Sequence, residues 1–349
     1  RLVSSEKDNG AMKLMLQGPA GLPTMLAAKG LILMAAWVIA WIPGFAALLL
    51  WKLYGGSVYA PELLNLLLGH LLRVILSTGV AVAAAAITIG AASGAIVTIG
   101  FTVGTWALDF VAAGRGGLLQ TLGAYTPTAA LRVFEQGQLR LSIVLVLLIA
   151  GIGGFAIAEV WLRPGRDRRA RHRGSIVAGV AICAALWAGS LPRASWDLSE
   201  NRRNSFSPFA EAALAKIGHP LRVTVFLAPE DPRLMDLDRG ILSKLRRIVP
   251  RLDVDYAAHS RSGLFESGDH YGEVWYELDG RKVMSRSTTE PVVLDTLYKL
   301  AQIAPPAQPE RNDYAGHPLP ADPTGAAWIF YGLWPVVFVP LWWQRMRYI

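Results

Sequence analysis

Long apolar stretches separated by short polar segments dominate the pattern of this chain. Residues 31–50 carry no charged side chain, and residues 74–108 carry none over a length greater than one membrane span. A helix of about 20 residues crosses the apolar core of a bilayer. The pattern therefore predicts six spans, at residues 31–50, 65–88, 92–113, 141–158, 174–192 and 324–343, with a turn near residues 91–94 between the second and the third.

Composition and charge agree with this class and orient the chain. Hydrophobic residues make up 53% of the sequence and charged residues only 17%, against about 25% in an ordinary soluble domain. Residues 163–173 hold six arginines, and Lys and Arg are enriched in the cytoplasmic loops of membrane proteins. This basic cytoplasmic loop places residues 1–29 and the basic end near Arg345 in the cytoplasm. We therefore expect a multi-pass protein of a bacterial cytoplasmic (inner) membrane, with residues 193–322 extracytoplasmic.

The block between the fifth and sixth spans predicts a small outer α/β domain over residues 193–303. Ser207 and Pro208 can begin a helix, and Asp279-Gly280 is typical of a type I′ hairpin turn. Strands are predicted at 221–227, 252–257, 272–278 and 281–286, and helices at 208–217, 233–248 and 289–302. From residue 221 the order is βαβ then ββα, which is thioredoxin-like. A linker over 304–325 leads to the last span and cytoplasmic end at 326–349.

Signatures of catalysis are missing from the sequence. No GxxxxGK[ST] motif for binding ATP occurs, and the single Cys183 excludes both an intrachain disulfide and a CxxC site. The outer histidines lack metal-binding spacing, and Asp269-His270 is one pair rather than a site. The net charge of +8 lies with the apolar part, which favours membrane orientation over a nucleic-acid partner. The sequence thus predicts no enzyme, no cofactor, no metal and no nucleic acid.

The first 29 residues carry the most specific pattern. Glu6-Lys7-x-x-Gly10 is followed by Leu14-x-Leu16, by Pro19 and by a lysine that leads into the first span. This arrangement resembles the cytoplasmic coupling segment of ABC-2 type transporter permeases. The resemblance implies that the segment docks in the ATP-binding subunit through Glu6, Lys7, Gly10, Leu14, Leu16 and Pro19. The alternative from the residues alone is an amphipathic helix that rests on lipid.

Two further stretches resemble known transporter parts. Residues 125–140 resemble the outer re-entrant segment of the same permeases, so residues 30–162 would be the permease spans, and two more family spans would precede residue 1. Residues 174–349 resemble the auxiliary component of gliding-motility-type ABC transporters, which carries a domain outside the membrane between two helices. Span 174–192 would then belong to this fused, shortened auxiliary subunit.

These resemblances imply the permease subunit of an ABC-2 type transporter. A separate ABC ATP-binding subunit would bind ATP and Mg, a second permease copy would complete a homodimer, and the substrate would be exported or moved across the lipid bilayer. The alternative is a non-transporting membrane assembly that transmits ATPase motion through the outer domain to an envelope partner.

Two membrane charges complete the prediction. Arg73 and Asp109 lie at similar distances from the expected turn between the second and third spans, near the outer face. Each can reach water separately, or the two can pair within the hairpin or across the dimer.

Overall fold

The structure, a computed structural model of the chain, divides into two compact units. One comprises Arg1–Met34 with Pro61–Arg311, and the other Ala35–Ala60 with Asn312–Ile349. The structure describes residues 3–15, 17, 19, 21–112, 117–228, 231–249, 251–257, 270–306, 316 and 324–346.

Helices dominate the described residues, and the short strands are confined to two small sheets. The helices are α1 (Ser4–Asp8), α2 (Ala11–Met15), α3 (Leu22–Ala40), α4 (Ile42–Leu53), α5 (Ala60–Ile87), α6 (Ala91–Ala112), α7 (Gly117–Ala124), α8 (Pro127–Glu135), α9 (Leu141–Leu162), α10 (Arg168–Ser190), α11 (Pro208–Leu214), α12 (Pro232–Leu237), α13 (Ser243–Ile248), α14 (Glu290–Ala301), α15 (Thr324–Ala327) and α16 (Trp334–Met346). The strands are β1 (Gln138–Arg140), β2 (Ser195–Asp197), β3 (Leu221–Val225), β4 (Leu252–Tyr256), β5 (Val274–Leu278) and β6 (Arg281–Ser285).

Five helical stretches in the described ranges are long and apolar enough to cross a membrane. They are Leu22–Leu53, Ala60–Ile87, Ala91–Ala112, Leu141–Leu162 and Arg168–Ser190. Large apolar side chains on them, such as Leu31, Ile96 and Val177, are exposed, as a lipid-facing surface requires. Helices of the length and composition that the predicted membrane class requires are therefore present, five in the described residues rather than the six predicted.

The last predicted span, at residues 324–343, does not meet the requirements of length and apolar composition for a membrane-spanning helix. Residues 324–346 are helical, but a π-helical turn at Trp328–Leu333 separates α15 from α16, and Pro340 lies inside α16. This helix is not among the five spanning candidates.

The basic loop predicted at 163–173 is shorter than expected. Asp167 caps α10, because its carboxylate accepts a hydrogen bond of 2.9 Å from the backbone N–H of Ala170. An Asp at this position stabilises the start of a helix. The arginines from Arg168 onward therefore lie in the first turns of α10 rather than in a loop.

Glycines bring two of the membrane helices into close contact. A Cβ on Gly79 of α5 would collide with the carbonyl of Gly151 on α9, and one on Gly154 would collide with Gly79 in return. A Cβ on Gly151 would lie 2.7 Å from the side chain of Ile75. Small residues at such a crossing let helix backbones approach closely, which is how helices associate within a bilayer. The crossing holds α5 and α9 together near their middle.

The outer domain contains a mixed four-stranded sheet in the order β4-β3-β5-β6. Strand β3 is parallel to β4 and antiparallel to β5, and β5 is antiparallel to β6. Alternate residues of β3 and β5 are fully buried, among them Val223 and Tyr276, which packs the sheet against the helices. The predicted βαβ-ββα order of elements is present in this domain.

The hairpin turn was predicted correctly in its chemistry. Asp279 and Gly280 both have positive φ, of 51° and 75°, which a type I′ turn requires. Helix α11 likewise begins where predicted, since the Ser207 hydroxyl accepts from the N–H of Ala210.

Sequence reasoning missed the small sheet that joins the outer domain to the membrane helices. Strand β1, directly before α9, pairs antiparallel with β2, directly after α10. The carbonyl of Gly137 also accepts a hydrogen bond of 2.8 Å from the N–H of Leu198. Gly137 has a φ of 76°, and a Cβ there would lie 2.8 Å from the Ser199 side chain, so glycine suits both the backbone and the space.

Candidate functional site

Lys7 of the N-terminal segment closes the end of α5. Its Nζ donates hydrogen bonds to the carbonyl oxygens of Ala85, Ala86 and Thr88, at 3.1, 3.1 and 2.5 Å. The last carbonyls of a helix lack partners within the helix and carry partial negative charge, so an ammonium group suits them. Burial lowers the pKa of Lys7 below its ordinary value, although the nearby Asp8 opposes this shift. Lys7 thus ties α1 to the end of a membrane helix.

Glu6 makes the second attachment. Both of its carboxylate oxygens accept from the Nζ of Lys29, each at 2.6 Å, and the Lys29 side chain is only 9% exposed. Lys29 lies in α3, where the first spanning stretch begins. A shielded ion pair holds its geometry more firmly than a solvated one, because its partners are costly to separate. Two neighbouring residues of α1 therefore attach to two different membrane helices.

An apolar cluster completes this attachment. Side chains from the N-terminal segment and from the start of α3 pack against the ends of α5 and α9. The buried members are Val3, Met12, Leu22, Leu26, Val82, Ala86, Ala158 and Leu162. This docking cluster covers the inner face of α1 and α2.

The opposite face of the segment is exposed. The side chain of Leu14 is 70% exposed and that of Met15 is 48% exposed. Gln17 and Pro19 are exposed as well, and Gly10 forms the turn between α1 and α2 with a φ of 78°. Leu16 lies outside the described residues. The six candidate coupling residues thus separate into two that face the bundle, Glu6 and Lys7, and an exposed part that includes Leu14 and Pro19.

The role of Lys7 was not visible in the sequence. The carbonyls that Lys7 caps lie 78 to 81 positions further along the chain, and no local pattern in the sequence marks such a contact. The importance of Lys29 had a weak signal, since it is the charge directly before the first long apolar stretch.

Asp109 pairs with a residue that the sequence did not suggest. Its carboxylate accepts a hydrogen bond from the Arg132 guanidinium of α8, and the Asp109 side chain is only 14% exposed. Within the described part of the chain Arg73 makes no ion pair. The predicted pairing of Arg73 with Asp109 within the hairpin is therefore replaced, because α8 brings an arginine closer to Asp109. Pairing across two copies stays a prediction.

The outer domain is fastened to the membrane helices by a polar junction. Arg203 pairs with Glu62 of α5, and its Nε donates to the carbonyl of Gln136 at 3.0 Å. The Nδ2 of Asn204 donates to the same carbonyl at 2.7 Å. Together with the β1–β2 pairing, these contacts link α5, α8 and the outer domain.

Asp197 organises the outer side of this junction. Its carboxylate accepts hydrogen bonds from the hydroxyls of Ser199 and Ser205, at 2.5 and 2.7 Å, and from the N–H of Asn204 at 3.0 Å. Burial would raise the pKa of Asp197, but these hydrogen bonds outweigh it and lower the pKa below its ordinary value.

In its described parts the outer domain shows no metal-binding cluster. No group of three or more His, Cys, Asp or Glu side chains gathers there at metal-binding distance. His270 accompanies Glu273, with 3.0 Å between Nδ1 and Oε2, while Asp269 lies outside the described residues. At the start of the helix after β3, Asp231 acts as an N-cap for α12.

Comparison with protein-family models, with curated proteins and with solved structures finds no match to this chain.

Proposed function

We propose that this chain is the membrane subunit of an ABC-2 type transporter, moved by a separate ATP-binding subunit. The observation that carries the proposal is the two-faced N-terminal segment. One face is tied to α3 and α5 through Glu6 and Lys7, and the other presents Leu14 and Met15. An element that couples two proteins needs both features: a firm attachment to what it moves and a free surface for what moves it.

The arrangement supports a simple mechanism. A partner that pulls or tilts α1 and α2 would move the ends of α3 and α5, because the Glu6–Lys29 pair and the Lys7 contacts resist separation. The close crossing of α5 and α9 would pass the motion to α9. ATP and Mg would be bound by the partner, and two copies of this chain would bracket the pathway.

We infer from the sequence that the chain lies in a bacterial cytoplasmic membrane, and the contacts favour one topology there. The N-terminal segment packs with the ends of α5 and α9 that precede the turn at 88–90 and the basic loop. The other ends of α5 and α9 join the outer domain. We place the segment and the arginine-rich loop in the cytoplasm and residues 193–322 outside it. The strand order of the outer sheet is the reason to propose that this domain is thioredoxin-like, without thiol chemistry.

A second candidate function is favoured by the junction. The outer domain is bound to α5 and α8 by Arg203 and to the start of α9 by β-strand pairing. Motion of the membrane helices would therefore reach the outer domain. A non-transporting assembly that acts on an envelope partner would use this connection.

The test separates docking on the ATPase from transmission of its motion. The chain is co-expressed with a candidate ATP-binding-cassette protein from the same organism, purified in nanodiscs, and assayed for co-purification and ATP hydrolysis. Met15→Glu should weaken ATPase binding about tenfold or more. The Met15 side chain would be buried in the interface, and burial of a Met side chain contributes about 1.5–3 kcal/mol. The matched control is Met235→Glu, since Met235 is 49% exposed on the outer domain.

Lys7→Met should leave the ATPase bound but abolish the stimulation of hydrolysis by the membrane subunit. Normal binding in the Met15→Glu variant, or equal losses in the Met235→Glu control, would contradict the proposal. A wild-type chain that never binds the ATPase would do so as well.

A further inference from the structure

A cavity of about 310 Å³ lies where the outer domain meets the ends of α9 and α10. Its lining includes Arg140 and Ser142 at the start of α9, and Ser190 at the end of α10. Arg193, Arg246 and Arg247 also line it. Ligand sites for small molecules have volumes of about 300–1,000 Å³, so the cavity has room for a small polar group.

The charge of this cavity is strongly positive. Four arginines and no carboxylate are among its lining residues in the described part of the chain. Arg246 pairs with Asp238 at 3.1 Å, and Arg247 pairs with Glu211, but both carboxylates lie outside the lining. Arg140 makes no ion pair among the described residues and donates from its Nε to the neutral side chain of Gln138 at 2.9 Å.

The surroundings of Arg140 disfavour its charged form. Burial lowers the pKa of its guanidinium below the ordinary value, and the neighbouring charges of Arg246 and Arg247 lower it further. Tyr125 and Asp238 partly oppose this shift.

No side chain caps the first turn of α9, where Arg140 holds the N-cap position. The N–H of Leu141 donates to the carbonyl of Ala194 at 3.0 Å, while the positive end of the dipole of this 22-residue helix still favours an anion. A bound anion would relieve the repulsion among the arginines and would interact favourably with this end of the helix.

We propose that this cavity is a binding site for a phosphate group, held by Arg140 and Arg246 with help from the Ser142 hydroxyl. Arginine forks match the oxygen geometry of phosphate, and hydroxyls add neutral donors. The cavity lies at the ends of two spanning helices, which is the level of lipid headgroups. The phosphate can therefore come from an anionic lipid or from a soluble phosphorylated molecule, and the site does not depend on the ATPase proposed above.

The experiment uses the purified full chain in neutral detergent and two probes with the same phosphate chemistry. One is dihexanoyl phosphatidylglycerol, with dihexanoyl phosphatidylcholine as the neutral lipid control, and the other is glycerol 3-phosphate. Dissociation constants are measured by thermophoresis for the wild type and for Arg140→Gln and Arg246→Gln. The matched control is Arg222→Gln, because Arg222, like Arg246, is exposed and is paired with an aspartate, Asp253, at 3.6 Å.

Each cavity variant should bind about tenfold more weakly, as expected for the loss of one charge-assisted hydrogen bond. The control should change less than about twofold. Binding of phosphatidylglycerol alone assigns the site to lipid, and binding of glycerol 3-phosphate assigns it to a soluble phosphate. The proposal fails if neither probe binds, or if Arg222→Gln weakens binding as much as the cavity variants. If either Arg140→Gln or Arg246→Gln fails to fold, the dissociation constant of the other variant still tests the proposal.

Discussion

At the scale of single residues, Lys7 and Glu6 attach the N-terminal segment to membrane helices, although other residues of that segment are exposed. Both charged groups bond within the chain. Lys7 donates to the carbonyls that end α5, and Glu6 pairs with Lys29 of α3. Hydrogen bonds that involve a charged group contribute about 1.5–3 kcal/mol, more than those between neutral groups. The polar part of the attachment therefore rests on two residues, which add to the apolar cluster, while the opposite face of the segment is exposed.

The pair of Asp109 with Arg132 gives a prediction at this scale. Asp109→Asn and Arg132→Gln should each lower the free energy of unfolding by about 1 kcal/mol, because the Arg132 side chain is partly solvated. The charge swap Asp109→Arg with Arg132→Asp should recover most of the loss in thermal melts. Removal of the exposed Glu159–Arg163 pair, at 3.8 Å, should have almost no effect. Additive damage in the swap would show that the two charges act separately.

Asp197 gives a prediction about pH. Its pKa in the folded chain lies below the ordinary value of 3.8, so the unfolded chain binds more protons between the two values. The stabilisation is present above about pH 4 and is lost as the pH falls through the folded pKa. Asp197→Asn should therefore be less stable than the wild type near neutral pH, with the difference shrinking below about pH 4. Melting of both proteins from about pH 3 to pH 6 measures this.

The control for that series is Asp253→Asn, because the Asp253 side chain is 72% exposed. It should stay parallel to the wild type at every pH. A difference for Asp197→Asn that does not vary with pH would contradict the role of the carboxylate charge.

At the scale of elements, the crossing of α5 and α9 is the closest helix contact at a pair of glycines. Gly79→Val would force the backbones of the two helices apart, and overpacking of this kind costs about 1–3 kcal/mol. The matched control is Gly100→Val in α6, where a Cβ meets nothing within 4 Å. Thermal melting in detergent should show a clear loss for Gly79→Val and little change for Gly100→Val. Equal losses would mean that valine disturbs the helices themselves rather than their contact.

The sequence predicted elements well where the determining interactions are local. The spans follow from runs of apolar residues, and the hairpin follows from Asp279-Gly280, whose backbone preferences need no distant partner. The pairing of β1 with β2 could not be predicted from local sequence. Each strand has three residues, too few for a pattern, and the two are 55 to 59 positions apart.

The candidate site divides along the same line. Leu14 belongs to the local sequence pattern on which the predicted coupling segment rests, whereas the partners of Lys7 and Asp109 depend on how helices pack in space. The early start of α10 was missed because its arginines suggested a loop, although Asp167 is a common N-cap residue.

At the scale of the whole molecule, the account requires that the N-terminal segment and the outer domain face opposite sides of the membrane. Single cysteines can test this in a Cys183→Ser background. Arg169→Cys and Asn201→Cys are suitable because both positions are exposed, whereas Ser175 accepts a hydrogen bond from Trp161 and is partly covered. An impermeant maleimide should label the Asn201→Cys variant in intact spheroplasts. The Arg169→Cys variant should react only after lysis, and equal labelling of both would overturn the orientation.

The central claim is that the exposed face of the N-terminal segment binds an ATPase rather than lipid, and photo-crosslinking tests it most directly. Benzoylphenylalanine replaces Leu14 in one variant and the control residue Met235, which is also exposed, in another, each in membranes that contain the co-expressed ATP-binding subunit. The account predicts a crosslink to that subunit from position 14 and none from position 235. Crosslinks from position 14 to lipid alone, with the ATP-binding subunit present, would contradict it.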